Sequence, residues 1–388
     1  MSTNIGRRTL LRGAVGLAAA GGVAGLLDLG RAASTDRTNT SGRLRIGYLP
    51  ITDAAPLLVA HHAGLFAPGV VDDVRPVLFR SWASLAEAFV TRQVDVVHLL
   101  MPMALQLRYS LGSAVRVLGW NHTNGSALTV APHITELGQL AGRQVAIPFW
   151  WSIHNITVQQ MLRAHGLRPV IRQSASQSAG TVELVVMSPS DMIPALANGS
   201  IAAFTVADPF NAAADLRGIG RIHRFLGDVW REHACCALLV HEDLIDRNPT
   251  VVQQVSDSLV TAQLRIGTDR RAAAEALTAG YLPQPLPAVT RALTYPEPPG
   301  TIRHPQWHPQ RIGYQPFPFP SFTEALALAM HDTVVDGDTR FLSRLDPATV
   351  HADLVDDRFV RTSLVRVDGT AAFGLPADLT RIEEVDPS

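Results

Sequence analysis

Residues Arg143 to Leu167 read R-Q-V-A-I-P-F-W-W-S-I-H-N-I-T-V-Q-Q-M-L-R-A-H-G-L. Val145, Ala146 and Ile147 form a short apolar run stopped by Pro148, the pattern of a buried strand. A polar and aromatic loop follows, and then Ile156, Val158, Met161 and Leu162 recur at helical spacing. Ser152 or Asn155 is placed to cap that helix by accepting bonds from its free amides. The product is a helix N-terminus with unpaired N–H groups and a positive dipole end. Two indoles and an imidazole flank it, a setting suited to a small anion or a carboxylate.

The same strand-turn-helix unit repeats on both sides of this stretch. Upstream, Leu44 to Leu49, Val74 to Phe79 and Asp95 to Leu100 read as strands, each leading into a helical pattern. Alternation at this spacing means βαβ units and a largely parallel sheet, with ligands held beyond the strand carboxyl ends. Three turns then face one cleft edge: Thr52/Asp53, Ser81/Trp82 and Pro102/Met103. Val115 to Trp120 and Ala127 to Val130 add strands, and a new α/β unit starts near Ala141. It continues through Val182 to Met187, Ala202 to Val206 and the turn Asp208-Pro209-Phe210. Tyr281 to Ser321 is proline-rich and reads as an extended arm packed by Trp307, Tyr314, Phe317 and Phe319. His304 and His308 are four apart, but Pro305 and Pro309 break the helix that a metal pair at that spacing would need.

Composition narrows the function. The 388 residues suffice for two α/β lobes with real cores, and the net charge of −1 gives no reason to expect nucleic acid as partner. All 33 basic residues are arginine, which excludes a lysine Schiff base and leaves only Arg or His⁺ to hold an anion. The two cysteines are adjacent, Cys235 and Cys236, so they cannot staple distant segments, and two reduced, buried thiols are expected.

Residues 1–35 read as an export signal. Arg7-Arg8-Thr9-Leu10-Leu11-Arg12 is a twin-arginine pattern, and a Gly/Ala-rich apolar stretch from Gly13 to Leu27 follows. That stretch is shorter than the ~20 apolar residues of a membrane span. The expected location is therefore periplasmic or at the cell surface, with cleavage or tethering by the signal left open. Ser34 to Gly42 is a polar linker.

From about Leu44 to about Asp346 the chain resembles periplasmic solute-binding proteins of ABC importers, in the nitrate/sulfonate/taurine class and nearest its nitrate- and bicarbonate-binding branch. The resemblance is carried by I-G-Y-L-P-I-T-D-A-A-P-L, H-A-G-L-F, S-W-A-S-L, D-V-V-H-L-L-M-P-M and N-G-S-A-L-T. It continues in S-I-H-N, A-D-P-F-N, V-W-R-E-H and F-P-F-P-S-F, in that order. It implies an α/β type II periplasmic-binding-protein-like fold. Each lobe would be a mostly parallel sheet flanked by helices, joined by a two-strand hinge at Ala127–Val130 and Ala237–Val240. Residues 43–126 with 238–388 would form lobe 1, and 128–235 lobe 2.

The resemblance also implies a site. Trp82, His154 with Asn155, and Arg231 fall where the family holds its anion. Ser126 stands in place of a glutamine and Arg231 in place of a lysine. A planar guanidinium suits a trigonal oxyanion. Thr52, Asp53, Trp151 and Asp208 complete the expected ligand-binding set, Asp208 more as a cap or hinge contact than as an anion ligand. Ala234-Cys235-Cys236 replaces a family stretch containing an acidic residue, which argues against calcium-assisted bicarbonate binding. No cofactor or metal is expected. The implied partners are a small anion and a membrane ABC permease, and the chain is expected to act as a monomer, binding without catalysis. The alternatives are an organic ligand (a sulfonate, a pyrimidine precursor or an aromatic acid) and an enzyme resembling thiamine-pyrimidine synthases. The latter use a lysine-bound pyridoxal phosphate that this chain cannot form.

Overall fold

The structure, a computed structural model, describes residues 42–296 and 302–388. The twin-arginine pattern, the apolar stretch behind it and nearly all of the polar linker lie outside the described residues.

Two mixed sheets form the frame. Strands β1 (Ile46–Tyr48), β2 (Val77–Leu78), β3 (Val96–Leu100) and β4 (Val115–Trp120) belong to the first. The second holds β5 (Ser126–Val130), β6 (Gln144–Ile147), β7 (Arg168–Val170), β8 (Thr181–Val186), β9 (Ala203–Ala207) and β10 (Arg221–Phe225). The chain then returns, and β11 (Cys236–His241) completes the first sheet, in order β2-β1-β3-β11-β4; the second runs β10-β5-β9-β6-β8-β7.

The sheets are less parallel than expected. β11 is antiparallel to both β3 and β4, and β5 is antiparallel to both β9 and β10. The cause is the crossing itself, since a strand fed from the other sheet enters from the opposite end. The segments expected as hinge strands are therefore sheet strands, β5 and β11. The crossings are the residues just before them. There Thr123 bridges Ala234, Asn124 N donates to His233 O (3.0 Å), and Asn121 N donates to Cys236 O (3.1 Å). The proline-rich arm adds a third segment, with Thr123 and Gly313 exchanging two backbone bonds of 2.8 Å.

The opening stretch folds as read. β6 ends at Ile147, and the helix Ile153–Ala164 buries Ile153, Ile156, Val158, Met161 and Leu162 against the core. Ser152, not Asn155, caps it, accepting from Asn155 N at 3.1 Å. The arm packs as expected through buried Trp307, Tyr314, Phe317 and Phe319. The C-terminal tail seals the first sheet. The Arg381 guanidinium lies 4.9 Å from the Trp120 ring centre and 4.6 Å from that of Phe319, and Glu383 accepts from the Trp230 indole.

The crossing leaves no room for a side chain at Gly125. Gly125 has φ +78°, and a Cβ there would lie 2.8 Å from Ile312 Cδ1. Gly125→Ala therefore combines a left-handed backbone penalty with overpacking, and we expect a loss of about 2–3 kcal/mol in urea denaturation. An unchanged midpoint would show that Ile312 moves aside freely.

Candidate functional site

The turns that end β1, β3 and β4 bring several polar side chains to the junction of the two sheets. Asp53 sits in the turn Thr52–Ala54 after β1, wholly buried. Its Oδ2 lies 3.0 Å from His122 Nε2 and accepts from the Cys236 thiol at 3.4 Å. Cys235 Sγ is 3.8 Å from Cys236 Sγ, and both thiols are reduced and buried. Asp53, His122, Cys235 and Cys236 thus place one ligand atom each within 4.8 Å of one another.

Three further imidazoles are fully buried at this junction. His98, on β3, accepts from Leu49 N at 3.0 Å through Nε2, which puts its proton on Nδ1. Its ring meets Trp82 edge-on at 5.5 Å. His154, in the first turn of its helix, pairs through Nε2 with Ser126 Oγ at 2.9 Å. His233 donates from Nδ1 to Trp230 O at 2.9 Å. Asp53 Oδ1, His98 Nδ1, His122 Nδ1, His154 Nδ1 and His233 Nε2 have no hydrogen-bond partner among the described residues. Such atoms usually find a partner, so their grouping here makes the junction a candidate binding site.

The charges sort sharply. Burial works against the charge on His122, but the Asp53 carboxylate outweighs it and holds the imidazole up at about 10. Burial likewise pushes the Asp53 carboxyl up, and His122 outweighs it, so the acid stays below its ordinary range. His98 and His154, with no carboxylate of their own, are pulled by burial down to about 3, and His233 to about 4. The junction therefore holds one buried ion pair among three neutral imidazoles. Burial, with a smaller push from the Asp53 charge, raises the Asp208 carboxyl to about 7, despite bonds from Ala212 N and the Tyr295 hydroxyl.

The structure gathers some of the expected ligand residues and disperses others. Asp53, His154, Ser126 and, through His98, Trp82 meet at the junction. Thr52 closes it, donating from N (2.8 Å) and Oγ1 (3.0 Å) to Asp208 O in the turn after β9. The Asp208 carboxyl is engaged by Ala212 and Tyr295, as a cap and contact. Three of the expected residues do not join them. Arg231 turns outward and pairs with Glu384 at 2.5 Å, its side chain 42% exposed, because the C-terminal tail offers a carboxylate there. Trp151 is core, edge-on to Phe341 at 5.4 Å. The Asn155 amide is spent on Trp150 O and Gln159.

Sequence reasoning passed over His98, His122 and His233 as site residues. The signal available was a histidine closing each of D-V-V-H, W-N-H and W-R-E-H, and these fall within β3, just after β4 and just before β11. Cys235 and Cys236 are reduced and buried, as the sequence leads one to expect.

The NMT1-like family profile matches residues 38–280. The nitrate/nitrite binding protein NrtA of Nostoc sp. is 24% identical over 253 residues, 60% of this chain and 55% of that protein. The taurine-binding periplasmic protein of Escherichia coli is 27% identical over 223 residues, 55% of this chain and 63% of that protein. The chain spans about half the length of the nitrate-binding relatives it matches. Among solved structures, the periplasmic nitrate-binding protein NrtA from Synechocystis PCC 6803 superposes with a TM-score of 0.73 at 17% identity. That match covers 89% of this chain and 94% of the other, and it shows the fold to be that of periplasmic binding proteins.

Proposed function

The chain belongs to the NMT1-like family, and on that footing we propose that it is the extracytoplasmic solute-binding component of an ABC importer. In this reading residues 43–126 with 238–388 and residues 128–235 are two lobes that close on a small solute. The closed form docks on a membrane permease, and the Arg7-Arg8 pattern directs export. The observation that carries the proposal is the set of unpartnered, neutral imidazole atoms buried where the two sheets meet, roofed by the Thr52–Asp208 contact.

The finer reading is a nitrate-like oxyanion. With Arg231 outside, such an ion would be held by neutral donors, the His98 and His154 N–H groups, with the Ser152-capped helix end beneath and no guanidinium over it. A second reading has its own observation. Asp53 is ionised beside the imidazoles, which repels a bare anion and favours an organic solute that also carries an amino group. The names of the nitrate- and taurine-binding relatives bracket these two chemistries.

Tryptophan fluorescence of the mature chain, titrated with nitrate, nitrite, bicarbonate and taurine, separates them. A saturable response to nitrate supports the oxyanion. A response to taurine alone supports the zwitterion, and silence to all four removes both. With whichever solute responds, His154→Ala should weaken binding by about 10–100-fold, the worth of one to two hydrogen bonds to a charged group. Arg231→Ala should leave affinity within about twofold, as expected of an exposed ion pair. A large loss in Arg231→Ala would return that residue to the site.

A further inference from the structure

We propose that Asp53, His122, Cys235 and Cys236 form a tetrahedral binding site for a thiophilic divalent cation of the zinc class, set at the base of the cleft where the chain crosses between the sheets. The site shares Asp53 with the solute cleft, but binding of the ion is read by itself and does not depend on which solute, if any, the cleft takes.

The distances carry the argument. Zinc bonds sulfur at about 2.3 Å and nitrogen or carboxylate oxygen at about 2.0–2.1 Å. In a tetrahedron those radii put two sulfurs about 3.8 Å apart, sulfur and oxygen about 3.5 Å, and nitrogen and oxygen about 3.3 Å. Here Cys235 Sγ and Cys236 Sγ are 3.8 Å apart, Cys236 Sγ and Asp53 Oδ2 3.4 Å, and His122 Nε2 and Asp53 Oδ2 3.0 Å. Three edges of the tetrahedron thus exist before any ion enters. All four side chains have no solvent exposure, so water does not compete for the position. Asp53 Oδ1 and His122 Nδ1 have no partner among the described residues, so neither ligand is already committed through its other atom.

The donor set also selects the ion. Two sulfurs with one imidazole and one carboxylate suit zinc and its tetrahedral neighbours, whereas calcium and magnesium demand six or more oxygens. Position gives the ion a role. His122 lies on one crossing segment, Cys235 and Cys236 end the other, and Asp53 belongs to the turn whose neighbour Thr52 bonds Asp208. A bound ion ties both crossings to that turn.

The test is cobalt(II) titration of the full-length, reduced, chelator-treated protein, with no solute present. One equivalent should give an intense thiolate-to-metal charge-transfer band and the strong visible bands of tetrahedral cobalt, and zinc should bleach both. Cys235→Ser/Cys236→Ser should lose the charge-transfer band, while His122→Gln should keep it with altered visible bands. Circular dichroism of each variant reports its folding. Should the variants fail to fold, zinc-edge X-ray absorption of the wild type decides, with two sulfur and two nitrogen or oxygen neighbours expected. A weak octahedral cobalt spectrum, a band that survives in the double cysteine variant, or a zinc shell without sulfur would each overturn the site. Nitrate or taurine titration is a separate readout, so losing the solute reading leaves this result standing.

Discussion

Asp53→Asn should destabilise the metal-free protein by about 3–5 kcal/mol, the largest effect expected of any single substitution at the site. The amide has the carboxylate's shape, so packing is kept while the charge is lost. His122 then has two courses. It can keep its proton and stand as an uncompensated charge with no solvent exposure, or it can release it and forfeit the interaction that holds its pKa up at about 10. Cys236 also exchanges a charged acceptor for a neutral one. Urea denaturation in the presence of chelator measures the loss as a lowered midpoint at unchanged slope. A change below about 0.5 kcal/mol, within the scatter of surface substitutions, would mean that the pair does not exist as a pair.

Acid should unfold the protein well before its exposed carboxylates titrate. His98 and His154 are held near 3 in the folded state, against an ordinary histidine value of 6.5. Below 6.5 the unfolded chain takes up protons that the folded chain refuses. The stability these two residues contribute is therefore intact above 6.5 and is lost progressively as pH falls toward 3. The groups around them are Asp53 and His122 for His98, and Asp53, His122 and His233 for His154. Asp208 works the other way. Its folded value of about 7 lies above the ordinary 3.8, so the folded state holds an extra proton between those values and gains stability as pH falls. Two histidines outweigh one aspartate, and the net loss between pH 7 and pH 4 should reach several kcal/mol. Thermal unfolding of chelator-treated protein across that range checks it. The variant His98→Gln/His154→Gln should show a flatter profile, and a profile as steep as wild type would assign the acid response elsewhere.

Both predictions rest on contacts between side chains that no local pattern announces. The strand-turn-helix of residues 144–164, with a cap at Ser152 or Asn155, the alternation of strands and helices, and the packed arm around Trp307, Tyr314, Phe317 and Phe319 are all local. Periodicity, a capping hydroxyl and proline positions act over a few residues, so the sequence by itself determined them. The order of the motifs carried the family and with it the two-sheet fold.

Tertiary structure alone decided the rest. Arg231 has a long, flexible stem, and its direction was settled by Glu384, which only the folded tail brings near. The His98 tautomer follows from Leu49 N, across the pairing of β1 with β3. Cys236 and Asp53 are 183 residues apart, and they meet because β11 inserts between β3 and β4 while β1 pairs with β3. Sequence spacing records neighbours along the chain. The distances that make a buried charge pair or a ligand tetrahedron arise between chain segments, from the strand order that joins them.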